Sequence, residues 1–475
     1  MNLGKKTKIV CTIGPATESA EMLEKLTLAG MNVMRLNFSH GDFAEHQGRV
    51  DNLHKVMKKL DKRVAILQDL GGPKIRIGMF KDEKGIVLKA GQTFTLTTNE
   101  SEKLTGDEHR VYINYPKLPA EVKVGGTIMV HDGKKRLEIT KIKGNDIVCK
   151  VIVGGPLGPK KGVNLPDAEL TIHALTAKDR KDLEFGLKNK VDFFALSFVR
   201  RAEDIHELRE VLKKAKSDAR IIAKIETPQA LSCLEAIVEA ADGIMVARGD
   251  LAIEIPAEEV PIAQKRMIDL CIAAGKPVIV ATQMLESMIK SPIPTRAEVS
   301  DVANAIKDGT DAIMLSEETT LGEYPEEAVK MMTKIALRVE ADNCSCENMV
   351  DHEEMHGDTD VISQAAVRVA HDVDASFIVA LTRSGRTARM ISRYRPSEHI
   401  VVLSDTSKHI NKLALSFGCD PVHTENFKTV EEAMVVVRQV ALKNKLAKKG
   451  EKVVLVWGFP FGRSKDTNLI LVETI

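Results

Sequence analysis

Aromatic residues are scarce: Phe, Trp and Tyr make up 4% of the 475 residues. That leaves little from which to build the stacking platforms that single-stranded nucleic acid needs. A field of one sign is missing too. Lys and Arg number 68 against 67 Asp and Glu, a formal net charge of +1, so nothing in the overall balance draws the chain to nucleic acid or to an anionic membrane. No stretch reaches the length of apolar sequence that spans a bilayer, so no membrane helix is expected. The opening MNLGKKTKIVCTIGP passes from two lysines into a short strand-like run instead of a long signal-type apolar region, and no export is expected. Cys11, Cys149, Cys233, Cys271, Cys344, Cys346 and Cys419 are odd in number, scattered, and form no CxxC pair. This is the cysteine usage of a reduced, cytoplasmic chain. Cys344 and Cys346 lack neighbouring ligand partners and are given no role.

What is present is alternation. The length suggests about three domains. Apolar runs at 8–14, 32–40 and 63–72 alternate with amphipathic segments at 19–29 and 42–60. The pattern then breaks between Pro73 and Pro166 into short β-like runs punctuated by Gly, Asn-Asp and Pro. That composition predicts a small antiparallel β-barrel inserted as its own domain. Alternation resumes with strands at 191–198, 220–226, 242–251, 277–284 and 311–318, and helices at 176–189, 202–216, 228–240, 258–274, 295–308 and 325–340. Eight strand-plus-helix units with near-continuous apolar strands predict a closed (β/α)8 TIM barrel. An open doubly wound sheet fits less well, because no Gly-rich fingerprint opens the first unit and the polar residues are spread over many strand ends. A charged linker follows, then a C-terminal α/β domain with strands at 376–382, 399–404, 452–458 and 468–474 and helices at 359–373, 386–393, 407–417 and 429–445. The expected division is 1–72 with 166–340, 73–165, and 341–475.

In IIAKIET, Lys224 and Glu226 lie two residues apart, so they share a strand face at its C-terminal end. A salt bridge capping a strand would read the same way; the neighbouring strand ends argue otherwise. Arg35, Asn37, Ser39 and His40, Asp69, Ser197, Arg248 and Asp250, Thr282 and Gln283, and Ser316 and Glu318 all fall where a barrel of this kind carries its chemistry. Glu226 and Asp250 offer oxygen ligands with no His or Cys beside them, which suits Mg²⁺ or Mn²⁺ better than zinc. Arg35 and Lys224 add positive charge, the arrangement that neutralises a phosphoryl group in transfer. Gly249 and Asp250, at a strand-to-helix turn, and the Thr282 hydroxyl could hold a carboxylate. The implied ligand is a phosphorylated small carboxylic acid.

RLNFSHG (35–41), GPKIR (72–76), KKGVNLP (160–166), IIAKIET (221–227), MVARGDL (245–251), ATQMLESM (281–288) and PTRAEVSDVANAIKDGTDAIMLS (294–316) closely resemble the pyruvate kinase family, in order and over essentially the whole chain. The resemblance implies phosphoryl transfer from phosphoenolpyruvate to ADP, giving pyruvate and ATP. It implies that Lys224 stabilises the phosphoryl group and the enolate, that Glu226 and Asp250 hold the metal, and that Arg35 holds the phosphoryl group. Gly249, Asp250 and Thr282 would take the substrate carboxylate, with Thr282 also near the proton delivered to the enolate. Arg76, Lys161 and His40 match nucleotide positions, Lys161 on an inserted domain that closes as a lid. A homotetramer is implied as well.

Some positions depart from the family pattern. Family members that need K⁺ hold it with residues matching Asn37, Ser39 and Asp69 plus a threonine, and carry glutamate in GPEIR; here those last two positions are Leu70 and Lys74. A lysine ammonium near that site would replace the ion's charge, so K⁺ is expected not to be required. Ala252 and Glu317 also differ from the pattern and are expected to be silent. In TRSGRTA, Thr382, Ser384, Gly385, Arg386 and Thr387 match the family's effector loop for a phosphorylated sugar or nucleoside monophosphate, although an ordinary helix cap reads the same way. Lys465 and Asp466 depart from the pattern there and would change the effector or abolish the response. Two other readings compete: a catalytically silent metabolite sensor, and a Mg²⁺-dependent aldolase or lyase acting on pyruvate.

Overall fold

The computed structural model describes residues 3–342, 357–406, 410–424, 429–460 and 466–475; Cys344, Cys346 and Lys465 lie outside them. Eight short strands are buried because each has apolar neighbours on both faces. They are β1 (Lys8–Thr12), β2 (Val33–Asn37), β3 (Ala65–Asp69), β4 (Phe193–Leu196), β5 (Arg220–Ile225), β6 (Gly243–Ala247), β7 (Val278–Ala281) and β8 (Ala312–Leu315). All pair in parallel with their sequence neighbours, and β8 returns to β1 to close the barrel. Alternate residues divide between two layers. Val10, Leu67, Phe193, Ile222 and Met245 fill the inside, while Ile9, Met34, Ile221 and Ile244 face the helices. Side chains on both faces of every strand are thus withdrawn from water, which is why the strands read as continuous apolar runs.

Two barrel elements differ from expectation. The strand expected over 242–251 stops at Ala247, and Arg248–Glu254 is helical. The helix expected over 228–240 is broken at Cys233 into Pro228–Ser232 and Leu234–Ala240, the Cys233 amide reaching back to the Ala230 carbonyl at 3.3 Å. That shorter reach is a 3-10 closure, which ends one helix and starts the next.

The insertion is a six-stranded sheet curled as a half-barrel around Phe94, Ile128, Leu137 and Ile147, with a separate two-stranded ribbon. Composition predicted antiparallel pairing throughout, but Thr93–Thr97 and Arg110–Tyr112 pair in parallel. The two segments joining it to the barrel bond to each other: the Ile77 amide donates to the Lys161 carbonyl at 3.0 Å and the Val163 amide to the Ile75 carbonyl at 2.9 Å.

The C-terminal unit has a five-stranded mixed sheet in the order β11–β10–β9–β12–β13, where β9 is Phe377–Leu381, β10 His399–Ser404, β11 Cys419–His423, β12 Lys452–Trp457 and β13 Leu469–Thr474. Only β13 runs antiparallel. Strand β11 was not expected, because CDPVH carries a proline. Pro421 lacks a donor and is tolerated because β11 is an edge strand. Of the helix expected over 407–417, residues 407–409 are outside the described residues, Ile410 is helical, and beyond it there is only a 3-10 turn, Asn411–Leu413.

That irregular segment has a structural use. Leu415, fully buried, joins the inner layer of the barrel. Around it Asp311, at the start of β8, accepts both terminal nitrogens of Arg395 at 3.2 and 2.9 Å and the Phe417 amide at 2.9 Å. Lys8 Nζ reaches the Cys419 carbonyl at 2.7 Å. The C-terminal unit therefore floors the barrel at the end opposite its polar mouth. Among the described residues no helix is long and apolar enough to cross a membrane.

Removing the Leu415 side chain should leave a cavity under the inner layer. Leu415→Ala is expected to destabilise the barrel by about 2–5 kcal/mol, read as a lower urea midpoint. An unchanged midpoint would show that the floor contributes nothing.

Candidate active site

Strand β5 brings Lys224 and Glu226 to one face, and both are buried, 9% and 1% exposed. Lys224 Nζ donates to Ser197 Oγ at 2.7 Å and pairs with Glu226 Oε1 at 3.0 Å and Asp69 Oδ1 at 3.3 Å. Asp69 closes β3 and gives its other oxygen to Arg35, with Nε at 2.8 Å and Nη2 at 2.6 Å. Arg35 Nη1 in turn donates to Thr12 Oγ1 at 2.8 Å. One line of contacts thus runs from Thr12 through Arg35, Asp69 and Lys224 to Glu226, across β1, β2, β3 and the end of β5. Thr12 was missed in the sequence, although it ends its strand as the other polar residues do.

The charges in this line set one another. Burial pulls Lys224 down, but Asp69 and Glu226 outweigh it and hold the ammonium above its ordinary range. Burial pushes Asp69 up, and Lys224 and Arg35 more than reverse it. Glu226 ends the other way: burial lifts it, Lys224 lowers it only in part, and the Asp250 charge lifts it further. Burial and a like charge both disfavour the ionised form of such a carboxylate, which added positive charge would favour.

Asp250 sits in the first turn of the helix Arg248–Glu254, and its carboxylate makes no hydrogen bond or ion pair among the described residues. Glu226 Oε2 accepts the Phe198 amide at 2.6 Å, while Oε1 accepts no hydrogen bond and faces only the Lys224 ammonium. Two carboxylates with free oxygen lone pairs and no nitrogen or sulfur between them fit a hard divalent cation. The described residues contain no group of three or more His, Cys, Asp and Glu that could hold a metal by themselves. The remaining ligands of such an ion would be substrate and water oxygens.

Beside the carboxylates the backbone is strained. Phe198, Thr282 and Gln283 have φ of 55°, 68° and 55°, a region costly for bulky and β-branched residues. Arg248 holds the Thr282 turn in place, donating to the Ala281 carbonyl at 3.3 Å and the Thr282 carbonyl at 2.8 Å and pairing with Asp301 at 2.8 Å. The turn aims Thr282 Oγ1 at the Gly249 amide, 2.8 Å away. Arg248 and the buried Glu318, which accepts the Leu285 and Ser316 amides, are scaffold.

The other expected residues are less tightly gathered. Asn37 faces Asp69 across β2 and β3, and its Oδ1 accepts the Ser39 amide at 3.1 Å. Lys74 is exposed and lies near Gly162, where an added Cβ would be 3.3 Å from its Cε; it forms no ion pair with Asp69. The Asp69 charge is met by Arg35 and Lys224 instead. Arg76 bridges Gly162 in the hinge and donates to the Lys160 carbonyl at 3.0 Å, next to Lys161. His40 is exposed, and among the described residues no contact joins it to Arg76 or Lys161.

In the C-terminal unit the Gly385 amide donates to Thr382 Oγ1 at 3.1 Å and the Arg386 amide to Ser384 Oγ at 3.3 Å. Thr387 bonds Thr467 at 2.8 Å, and Arg386 pairs with Asp466 at 3.4 Å. Asp466 thus brings negative charge to the loop expected to bind phosphate.

Comparison with known proteins shows the family of the chain. The family model for the pyruvate kinase barrel domain matches residues 4–329, and that for the pyruvate kinase alpha/beta domain matches residues 360–473. A pyruvate kinase of Geobacillus stearothermophilus is 44% identical over 476 residues, which cover 99% of this chain and 80% of that protein. One from Staphylococcus epidermidis is 43% identical with the same coverage. The crystal structure of a pyruvate kinase from Cryptosporidium parvum superposes with a TM-score of 0.94 at 37% identity, covering 99% of this chain and 96% of the other. Both the barrel and the C-terminal unit match at a level where fold and sequence descend together, and the chain belongs to the pyruvate kinase family.

Proposed function

We propose that the buried line from Arg35 to Glu226 is the phosphoryl-transfer site, moving the phosphoryl group of phosphoenolpyruvate to ADP and leaving pyruvate and ATP. As a member of this family the chain is a phosphotransferase; the residue roles that follow are our reading. The observation that supports it most is the Lys224 ammonium, pinned by Ser197, Asp69 and Glu226 beside the free Asp250 carboxylate. Its charge is fixed in place before substrate arrives, so little reorganisation is needed when charge moves from the phosphoryl group to the enolate oxygen.

Arg35 directs its guanidinium to the same mouth and holds the phosphoryl oxygens. Glu226 and Asp250 would hold Mg²⁺ or Mn²⁺, whose charge neutralises phosphoryl and substrate oxygens. Without it the site has Arg35 and Lys224 against Asp69, Glu226 and Asp250, one negative charge too many to welcome an anion. The substrate carboxylate takes over the Gly249 amide from Thr282, and the Thr282 hydroxyl, or a water chain beside it that draws its proton from solvent, protonates the enolate carbon. Arg76, Lys161 and His40 bind the nucleotide, and segment 73–165 closes as a lid that excludes water.

K⁺ is not needed in this reading. Asp69, the only full charge among the three residues matching the K⁺ ligands, is already neutralised by Arg35 and Lys224, and Leu70, fully buried, lacks the side-chain hydroxyl of the family's threonine. Lys74, exposed by the hinge, supplies positive charge from the lid side. A phosphorylated metabolite would bind the 382–387 loop only by displacing Asp466 from Arg386. The exposed side chains of Ile262, Ile293 and Val472 are consistent with a homotetramer, and the reading places the enzyme in the cytoplasm.

Lys224→Ala should reduce kcat roughly 10²–10³-fold while the KM for phosphoenolpyruvate moves far less, since the charge matters most in the transition state. Unchanged turnover would remove Lys224 from the chemistry. Pyruvate formation should be equal in K⁺ buffer and in a buffer whose only monovalent cation is tetramethylammonium. Activity confined to K⁺ would reject the charge argument and leave the transfer standing; none in either would reject the transfer.

A further inference from the structure

We infer that the contact between Asn164 and Glu254 is the pivot on which the lid turns, and that Glu254 is a positioning residue setting the nucleotide side of the site against the metal side. The inference rests on the phosphotransfer reading above. Asn164 Nδ2 donates to Glu254 Oε1 at 2.8 Å, and the Leu165 amide also bonds this carboxylate. Neither residue carries a role in the reaction as derived so far.

Each end of the contact is tied to residues that do. Asn164 lies three positions after Lys161, on the hinge strand Val163–Asn164. That strand pairs with the lid through Val130 and Met129 and bonds the outgoing hinge segment through the Ile75 carbonyl. Glu254 closes the helix that Arg248 opens, about one turn after Asp250. A short helix and a short paired strand therefore connect Lys161 to Asp250 through the Glu254 carboxylate.

On both sides of that bond the lid and barrel stand apart. One cavity of about 480 Å³ has Lys74, Leu165, Phe198, Arg200 and Thr227 in its walls; another of about 810 Å³ has Met129, Asp132, Ile255 and Pro256. Glu254 lines both. Hydrogen bonds gathered on one carboxylate, with open volume on either flank, make a fulcrum: rotation narrows one space and widens the other while the axis stays bonded. On the barrel side Arg200, 6% exposed, is occupied with the Phe198 carbonyl at 3.1 Å and attracts Glu254 from a distance, which leaves the carboxylate to the lid.

The test uses the full-length enzyme with Asn164→Ala, Glu254→Ala, the double variant and Glu254→Gln, which keeps the carbonyl oxygen that accepts from Asn164. Each alanine variant should raise the KM for ADP roughly tenfold, the scale of a lost hydrogen bond to a charged group, while the KM for phosphoenolpyruvate stays near the parent value. The double variant should be no worse than Glu254→Ala alone, and Glu254→Gln should recover most of the loss. Independently of turnover, amide hydrogen exchange over residues 160–166 should accelerate in the alanine variants with the urea midpoint unchanged. Additive losses, an unmoved KM for ADP, or unchanged exchange would each overturn the pivot. Should Glu254→Ala not fold, Asn164→Asp replaces it: carboxylate against carboxylate must also speed exchange, and failure to do so refutes the proposal. A parent enzyme that forms no pyruvate defeats the phosphotransfer reading, and the exchange measurement still decides the pivot.

Discussion

Asp69 is the constraint on which the mouth of the barrel depends. Two cations, Arg35 and Lys224, are brought into an apolar barrel end, and each would be costly there without a partner. Asp69 takes one with each oxygen. The carboxylate thereby fixes the spacing of the two positive groups, from different strands, before any ligand is present. Glu226 and Asp250, by contrast, are left short of positive charge. Charge is balanced around Asp69 and short of a cation around Glu226 and Asp250.

The strained turns follow from the same arrangement. Side chains that project from strand ends can only converge if the chain turns away sharply behind them. Phe198 leaves β4 with positive φ and so presents its amide to Glu226. Thr282 and Gln283 leave β7 likewise, with Arg248 holding the Ala281 and Thr282 carbonyls. The burial of the strands supplies the stability that keeps these backbone positions in place.

Much of this was legible in the sequence, for identifiable reasons. Barrel strands are dry on both faces, so KIVCT, RIIAKI and GIMVA announce themselves, and a lysine or carboxylate at the end of such a run stands out. Lys224, Glu226, Arg35 and Asp250 could therefore be grouped before their distances were known. The role of Asp69 could not, because it depends on the register of β3 against β2 and on its reach to β5. Lys74, expected near the same site because it replaces the glutamate of GPEIR, lies beside Gly162 and makes no ion pair with Asp69, a placement set by the segment entering the inserted sheet and not readable from the motif. Strand β11 was hidden because Pro421 signals a turn unless one knows that the strand lies at an edge. The break at Cys233 was hidden because periodicity continues through it.

The floor of the barrel has a consequence for how the molecule is made. The walls of the inner layer are complete once β8 has been synthesised, but the residue that closes them from below, Leu415, belongs to the far C-terminal unit. A barrel made without that unit would have an open base, its inner apolar side chains in reach of water, and the dock through Asp311 is what shuts it.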